Sequence, residues 1–375
     1  MTRRRVAVLF GGRSAEHEIS CISARSVIDA LDPERVEVIP IGITREGRWH
    51  LLAGPLPLPA ESGRMPEVTD GAGAVVELAG EGGAGELVAA DGRREPVDVV
   101  FPVLHGPMGE DGSVQGLLEL AGVPYVGAGV LASAVGMDKD VQKALFHRAG
   151  LPVVPYEVVR EHEWQEDAEG VAARAEGLGY PLFSKPATLG SSVGVVKVHE
   201  PGELEAALEE ALRYARKAVL ERAVPSAREV EVAVLGNDDP VASVVGEIVP
   251  TGHEFYDYAA KYLDAAGADL RIPADLEAAV GERIQRMAVS AFGAIDCAGM
   301  ARVDFFVEGD GTGEGSVWVN EINTIPGFTS ISMYPKLWAA SGLAYPELIE
   351  RLLDLAVERH GAERGRSTAA RELSS

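Results

Sequence analysis

The chain has 375 residues, 46% of them apolar and 25% charged, and a formal net charge of −24. That length can bury a sizeable core in two or three domains, and the composition excludes wholesale disorder and collagen-like repeats. So acidic a surface repels nucleic acid and anionic membrane, and a small anionic substrate would need a local pocket of Lys and Arg.

Cys21 and Cys297 are far apart and form no C-x-x-C pair, so neither a disulfide framework nor a structural zinc site is expected, which fits a reducing cytoplasm. The opening MTRRRVAVLFGG imitates a signal peptide with its arginines, but its apolar run stops at Gly11-Gly12 and reads as a first buried strand. No run approaches the roughly 18 apolar residues of a membrane span.

In chain order, RVAVLF (5–10), a Gly-Gly turn, a helical pattern to about Leu31 and VEVIPIGI (36–43) predict a βαβ opening to a parallel sheet. Residues 53–95, rich in Gly, Pro, Ala and Glu, read as a loop or hairpin around the apolar runs AVVEL and ELVAA. Another buried strand is expected over 97–104. GVPYVGAG (122–129) marks a boundary, followed by a helix from MDKDVQKALFHRAG that ends at Gly150. Strands at PLFSKPA (181–187) and SSVGVVKV (191–198), a helix over 203–217 and a strand at 218–224 make a second unit. A third carries strands REVEVAVLG, PVASVVGEIVP, ARVDFFVEG and SVWVNEIN, with helices near 275–293, 334–341 and 346–359. The last fifteen or so residues are polar and read as a frayed end.

The segment ARVDFFVEGDGTGEGSVWVNEIN predicts two strands joined by a Gly-rich loop. Side chains two apart in a strand share a face, which sets Arg302 beside Asp304 and Glu321 beside Asn323. Counting back from a loop tip near Thr312-Gly313 pairs Asp304 with about Glu321. Two carboxylates and an amide then converge, a hard oxygen set suited to Mg²⁺. An Asp at a sheet rim and an Asn starting the turn at Pro326-Gly327 would read the same way. Why VWVNEIN (317–323) sets Glu321 and Asn323 in line with Val317 and Val319 is a question for the structure.

LGSSVG fits G-x-S-x-G, yet a nucleophile elbow runs from strand to helix, whereas VGVVKV continues as a β-branched run. The turn offers backbone and hydroxyl donors that could fold over phosphates, or is simply a hairpin turn. Lys185 sits at the end of the preceding strand, Lys139 at the start of a helix and Lys261 within YDYAAKYL, and no Walker A pattern occurs. GAGVLA (127–132) matches G-x-G-x-x-A and leaves a nicotinamide-dependent oxidoreductase open, although no strand ending in an acidic residue follows about twenty positions on. The histidines show no H-E-x-x-H spacing; His105 stands out because it directly follows a buried strand.

GGRSAEHEIS (11–20), LHGPMGEDGSVQG (104–116), KPATLGSSVGV (185–195), FYDYAAKYLD (255–264), ARVDFF (301–306) and NEINTIPGFTSISMYPKLW (320–338) together closely resemble the D-alanine:D-alanine ligases, in order from about residue 4 to 359. The resemblance implies an ATP-grasp architecture: an N-terminal α/β domain with a doubly wound parallel sheet (1–126), then two α+β domains (127–226 and 227–375) that clamp ATP. It implies ligation of two D-alanines for peptidoglycan precursor synthesis, through an acyl phosphate and a tetrahedral intermediate, with ATP and two Mg²⁺ ions, or Mn²⁺ in their place. A cytoplasmic homodimer is implied, formed through the N-terminal domain.

By the same resemblance Glu16 holds the first D-alanine's ammonium, assisted by Ser191 and Tyr262. Lys139, Lys185 and Lys261 contact ATP phosphates, Glu221 the adenine edge and Glu229 the ribose, with Glu231 close by. Asp304, Glu321 and Asn323 carry the metal ions. Arg302 and the Gly327 N–H stabilise the oxyanion, and Ser332 fixes the second D-alanine's carboxylate. The family commonly has Glu where Ala259 stands and an apolar residue at Ser184. Tyr262 favours an amine nucleophile over D-lactate. Sister ligases using D-lactate or D-serine, and a binding module that closes on D-alanine without consuming ATP, are the remaining alternatives.

Overall fold

The structure, a computed structural model, describes residues 3–58, 61, 63–81, 84–251, 268–313, 316–329 and 331–366. Elements are numbered among these residues. The end of the chain beyond 366, expected to fray, lies outside them.

The N-terminal unit contains β1 (Arg4–Gly11), α1 (His17–Ala30), β2 (Val36–Ile43), β3 (Trp49–Leu51), β4 (Ala74–Glu81), β5 (Ala84–Ala89), β6 (Arg94–Val97), β7 (Val99–Pro102) and α2 (Ser113–Ala121). Its seven-stranded sheet has the order β6-β5-β4-β3-β2-β1-β7. Only the β2-β1-β7 end of the sheet is parallel. There both sheet faces are covered, which is why Val6, Val8 and Phe10 are as deeply buried as Ala7 and Leu9.

Two expectations need correction. Residues 74–97 are an antiparallel three-strand meander, not a loop or single hairpin, so the sheet is mixed. The runs AVVEL and ELVAA alternate, with Val76, Leu87 and Ala89 turned inward, and an exposed edge at β3 gives them a partner. The single strand expected over 97–104 is broken at Asp98, whose carboxylate accepts from the Arg5 backbone N–H at 2.7 Å and separates β6 from β7.

Next come α3 (Val130–Met137), α4 (Lys139–Arg148), β8 (Tyr156–Arg160), α5 (Glu161–Glu166), α6 (Ala168–Leu178), β9 (Leu182–Pro186), β10 (Val196–Val198), α7 (Leu204–Tyr214) and β11 (Lys217–Arg222). Strands β10-β9-β11-β8 form an antiparallel sheet. Helix α7 covers it with Leu204, Ala207, Leu208 and Ala211, an i, i+3, i+4, i+7 stripe. The strand expected over 191–198 is confined to 196–198. Ser191 and Ser192 have φ of 54° and 57°, in the left-handed region, so the preceding stretch turns instead of extending.

The third sheet, β14-β13-β12-β15-β16, is built from β12 (Ala227–Gly236), β13 (Val241–Pro250), β14 (Ala268–Arg271), β15 (Gly299–Glu308) and β16 (Val317–Asn323). It is antiparallel throughout. Helix α8 (Ala278–Ala294) packs Ile284, Ala288 and Phe292 against Val232, Val303 and Val319. Phe146 and Leu151, around the end of α4, join that same core. Helices α9 (Met333–Ala340) and α10 (Tyr345–Arg364) share a core with β1, β7 and α1. Phe328 sits at its centre, with ring centroids 5.6 Å from both Phe101 and Tyr334.

Candidate active site

The hairpin register is the one counted from the sequence: Asp304 pairs with Glu321 and Arg302 with Asn323. One residue further the register slips, because Phe305 pairs with Val319 and Asn320 is left as an extra residue. This β-bulge resolves the puzzle of VWVNEIN. Val317, Val319 and Ile322 are buried, whereas Glu321 and Asn323 turn to the other, half-exposed face with Arg302 and Asp304.

Strand β12 extends the row, since Glu231 pairs with Asp304. Glu231, Asp304 and Glu321 therefore stand side by side on three adjacent strands. Cations separate them: Arg302 grips Asp304 through two contacts of 2.7 Å and reaches Glu231 at 3.1 Å, and Lys139 approaches Glu321 at 3.0 Å. Burial opposes a charge on Arg302, but Asp304 and Glu231 outweigh it and raise its pKa well above the ordinary value.

Lys139 opens α4, whose N-cap Asp138 accepts from the backbone N–H of Asp140 and Val141. Lys185, next to last in β9, lies opposite Val219, which leaves Glu221 diagonally placed on the same sheet face. Lys185 Nζ donates to Glu221 Oε1 at 2.6 Å, and Lys143 Nζ lies 2.5 Å from Glu221 Oε2. Burial alone would raise the Glu221 carboxyl; the two ammonium groups hold it down at about 2. Lys143, 1% exposed, went unremarked in the sequence, where the signal was its i, i+4 spacing from Lys139.

A cavity of about 290 Å³ joins these groups, lined by Lys139, Lys185, Ser191, Glu221, Glu229, Glu231, Arg302, Asp304 and Glu321 among others. The Ser191 hydroxyl donates to Glu16 from the N-terminal unit, so Glu16 adjoins the cavity through this bond. Behind Glu16 lies His105, 5% exposed, its Nδ1 3.6 Å from Glu110 and its Nε2 3.3 Å from Ser23 Oγ. Burial works against its protonation, but Glu110 and Glu16 raise its pKa.

Gly327 and Ser332 lie outside the cavity lining but meet each other: a Cβ on Gly327 would stand 3.0 Å from Ser332 Oγ. Ser332 Oγ accepts from the Thr329 N–H at 3.1 Å. Asn323 Oδ1 accepts from the Ile325 N–H at 3.2 Å. Lys261 and Tyr262, with Ala259, lie outside the described residues. The Ser184 hydroxyl, unusual in a buried strand, is satisfied by the Ala207 carbonyl at 3.0 Å.

Among the described residues no three His, Cys, Asp or Glu side chains are grouped to hold a metal ion. Asp304 and Glu321 at the cavity wall, with Asn323 beside them in the same hairpin, are nonetheless a donor set that fits Mg²⁺, which keeps waters and takes substrate phosphates to complete its shell.

The comparisons agree with the geometry. The model of the D-ala D-ala ligase N-terminus matches residues 5–128 and that of the C-terminus residues 145–354. A D-alanine–D-alanine ligase of Acetivibrio thermocellus is 50% identical over 371 residues, covering 96% of this chain and 97% of its own; one of Geobacillus kaustophilus is 50% identical over 362 residues, with 96% of each covered. Among solved structures, the D-alanine-D-alanine ligase of Coxiella burnetii superposes with a TM-score of 0.84 at 39% identity, covering 97% of both chains. The VanG D-Ala:D-Ser ligase of Enterococcus faecalis gives 0.81 at 36% identity, with 95% of this chain and 100% of its own covered. With both halves matched and half of all positions shared over nearly full length, the chain belongs to the D-alanine–D-alanine ligase family.

Proposed function

We propose that this chain joins two D-alanines into D-alanyl-D-alanine with cleavage of ATP to ADP and phosphate, the phosphate taking its fourth oxygen from the first D-alanine's carboxylate. The observation that carries the reading is the meeting of three groups at one cavity: the lysine and glutamate floor of Lys139, Lys185 and Glu221, the carboxylate row of β15 and β16, and the Ser191–Glu16 bridge. The first D-alanine's carboxylate oxygen attacks the γ-phosphorus and ADP leaves. The second D-alanine's amine then attacks the acyl carbon, and the C–O bond to phosphate breaks.

Each side chain has work that suits its type. Glu16 pairs with the first ammonium, oriented by Ser191. Lys139 and Lys185 neutralise phosphate charge, Glu221 and Glu229 meet the nucleoside, and Lys261 and Tyr262 complete the site. Asp304, Glu321 and Asn323 would hold Mg²⁺ or Mn²⁺, which when bound neutralises the charge on the transferring phosphoryl group. Arg302 and the Gly327 N–H meet the oxyanion of the tetrahedral intermediate, and Ser332 anchors the second carboxylate. Catalysis here is positioning and charge neutralisation.

The dipeptide suits peptidoglycan precursor synthesis in the cytoplasm, and no described helix is long and apolar enough to cross a membrane. A homodimer through the N-terminal unit is supported by Leu117 and Leu120 on α2, which are 41% and 89% exposed. Phosphate release with ATP and D-alanine alone, then with D-lactate or D-serine added, tests the assignment. Turnover with D-alanine alone is expected; turnover only when a second acceptor is added would move the chain to a sister activity.

A further inference from the structure

Lys143 has no part in the chemistry above, yet it is a charged side chain with almost no exposure at the back of the nucleotide floor. Its ammonium bridges three elements. It lies 2.5 Å from Glu221 Oε2 on β11 and donates at 3.0 Å to the carbonyl of Asn320, the extra residue of the β16 bulge, while α4 carries it one turn beyond Lys139. The other oxygen of Glu221 is held by Lys185 at 2.6 Å.

Charge decides what this arrangement does. Two ammonium groups around one carboxylate leave one net positive charge, and Lys185, at the cavity wall, is the member able to present it. Without Lys143, Glu221 and Lys185 would be a closed neutral pair, and a phosphate could gain Lys185 only by stripping a buried carboxylate of its remaining cation, which is costly.

We infer that Lys143 is a positioning residue for nucleotide binding: as the resident counter-ion of Glu221 it frees the charge of Lys185 for the phosphate chain. The inference rests on the nucleotide reading given above. It makes Lys143 matter for phosphates and much less for the nucleoside.

The test compares Kd for ADP and for adenosine by calorimetric competition, with divalent cations chelated. The readout is the ratio of the adenosine Kd to the ADP Kd, which isolates what the phosphates contribute. Lys143→Met should lower this ratio at least tenfold. Glu221→Gln, which adds a net positive charge, should raise it at least threefold. Lys143→Arg, and the double variant Lys143→Met/Glu221→Gln, should keep it within threefold of wild type. A ratio within twofold of wild type in either Lys143→Met or Glu221→Gln overturns the inference. If Lys143→Met does not fold, Glu221→Gln and the double variant decide. Wild-type protein that binds no ADP would instead overturn the nucleotide reading itself.

Discussion

The hydroxyl of Ser191 donates to the carboxylate of Glu16 across 175 residues of chain, tying the turn after β9 to the start of α1. Ser191 is held for this by a left-handed backbone at φ 54°, which only a strongly determined turn imposes on a residue with a Cβ. Losing a hydrogen bond to a charged group costs about 1.5–3 kcal/mol. Ser191→Ala should therefore raise KM for the first D-alanine at least about tenfold, with KM for ATP much less affected; steady-state kinetics with each substrate varied in turn checks this.

The row Glu231, Asp304 and Glu321 makes a second prediction. Asp304→Asn and Glu321→Gln each retain shape but remove a charge that faces Arg302 or Lys139. Turnover should fall by roughly a hundredfold or more, the scale of losing one electrostatic group in a preorganised site. Thermal unfolding of Glu321→Gln should move by only a few degrees, because that side chain is 28% exposed. Wild-type rates in either variant would remove the metal assignment.

Glu221 supplies a pH dependence. Its ordinary value of 4.5 falls to about 2 in the folded protein, so it stabilises the fold fully above about 4.5 and loses that contribution as pH drops towards 2. The stability difference between wild type and Glu221→Gln should shrink by about 2 kcal/mol between pH 6 and pH 3, measured by urea unfolding. A difference that is flat over that interval would contradict the buried triad.

Gly327 and Ser332 should behave as one unit. A methyl group at Gly327 would press on Ser332 Oγ at 3.0 Å and displace it by a few tenths of an ångström. Gly327→Ala and Ser332→Ala should each raise KM for the second D-alanine, and the double variant should add little to the worse single one. Additive effects would separate their roles.

Much of the chemistry was legible because strands have period two: counting from the Gly-rich loop paired Asp304 with Glu321 correctly. The bulge was not legible, since an extra residue at Asn320 leaves composition unchanged and shows itself only as a slip in the ladder. The mixed N-terminal sheet escaped for a related reason, that β4 to β6 depend on a neighbouring edge to become strands. Lys143 was missed because a lysine in a polar helix normally faces water, even one spaced i, i+4 from Lys139; only the buried carboxylate across the fold, at Glu221, draws it inward. Ser191 was visible as a turn residue, but its partner in a different unit was supplied by the family resemblance and not by its neighbours in sequence.

The most direct test of the account follows an oxygen atom. With D-alanine labelled with ¹⁸O in its carboxylate, attack on the γ-phosphorus followed by C–O cleavage sends one labelled oxygen per turnover into inorganic phosphate. Phosphate carrying one ¹⁸O for each dipeptide formed is the predicted result. Unlabelled phosphate accompanying dipeptide formation, with the label kept in the peptide and unreacted D-alanine, would contradict it.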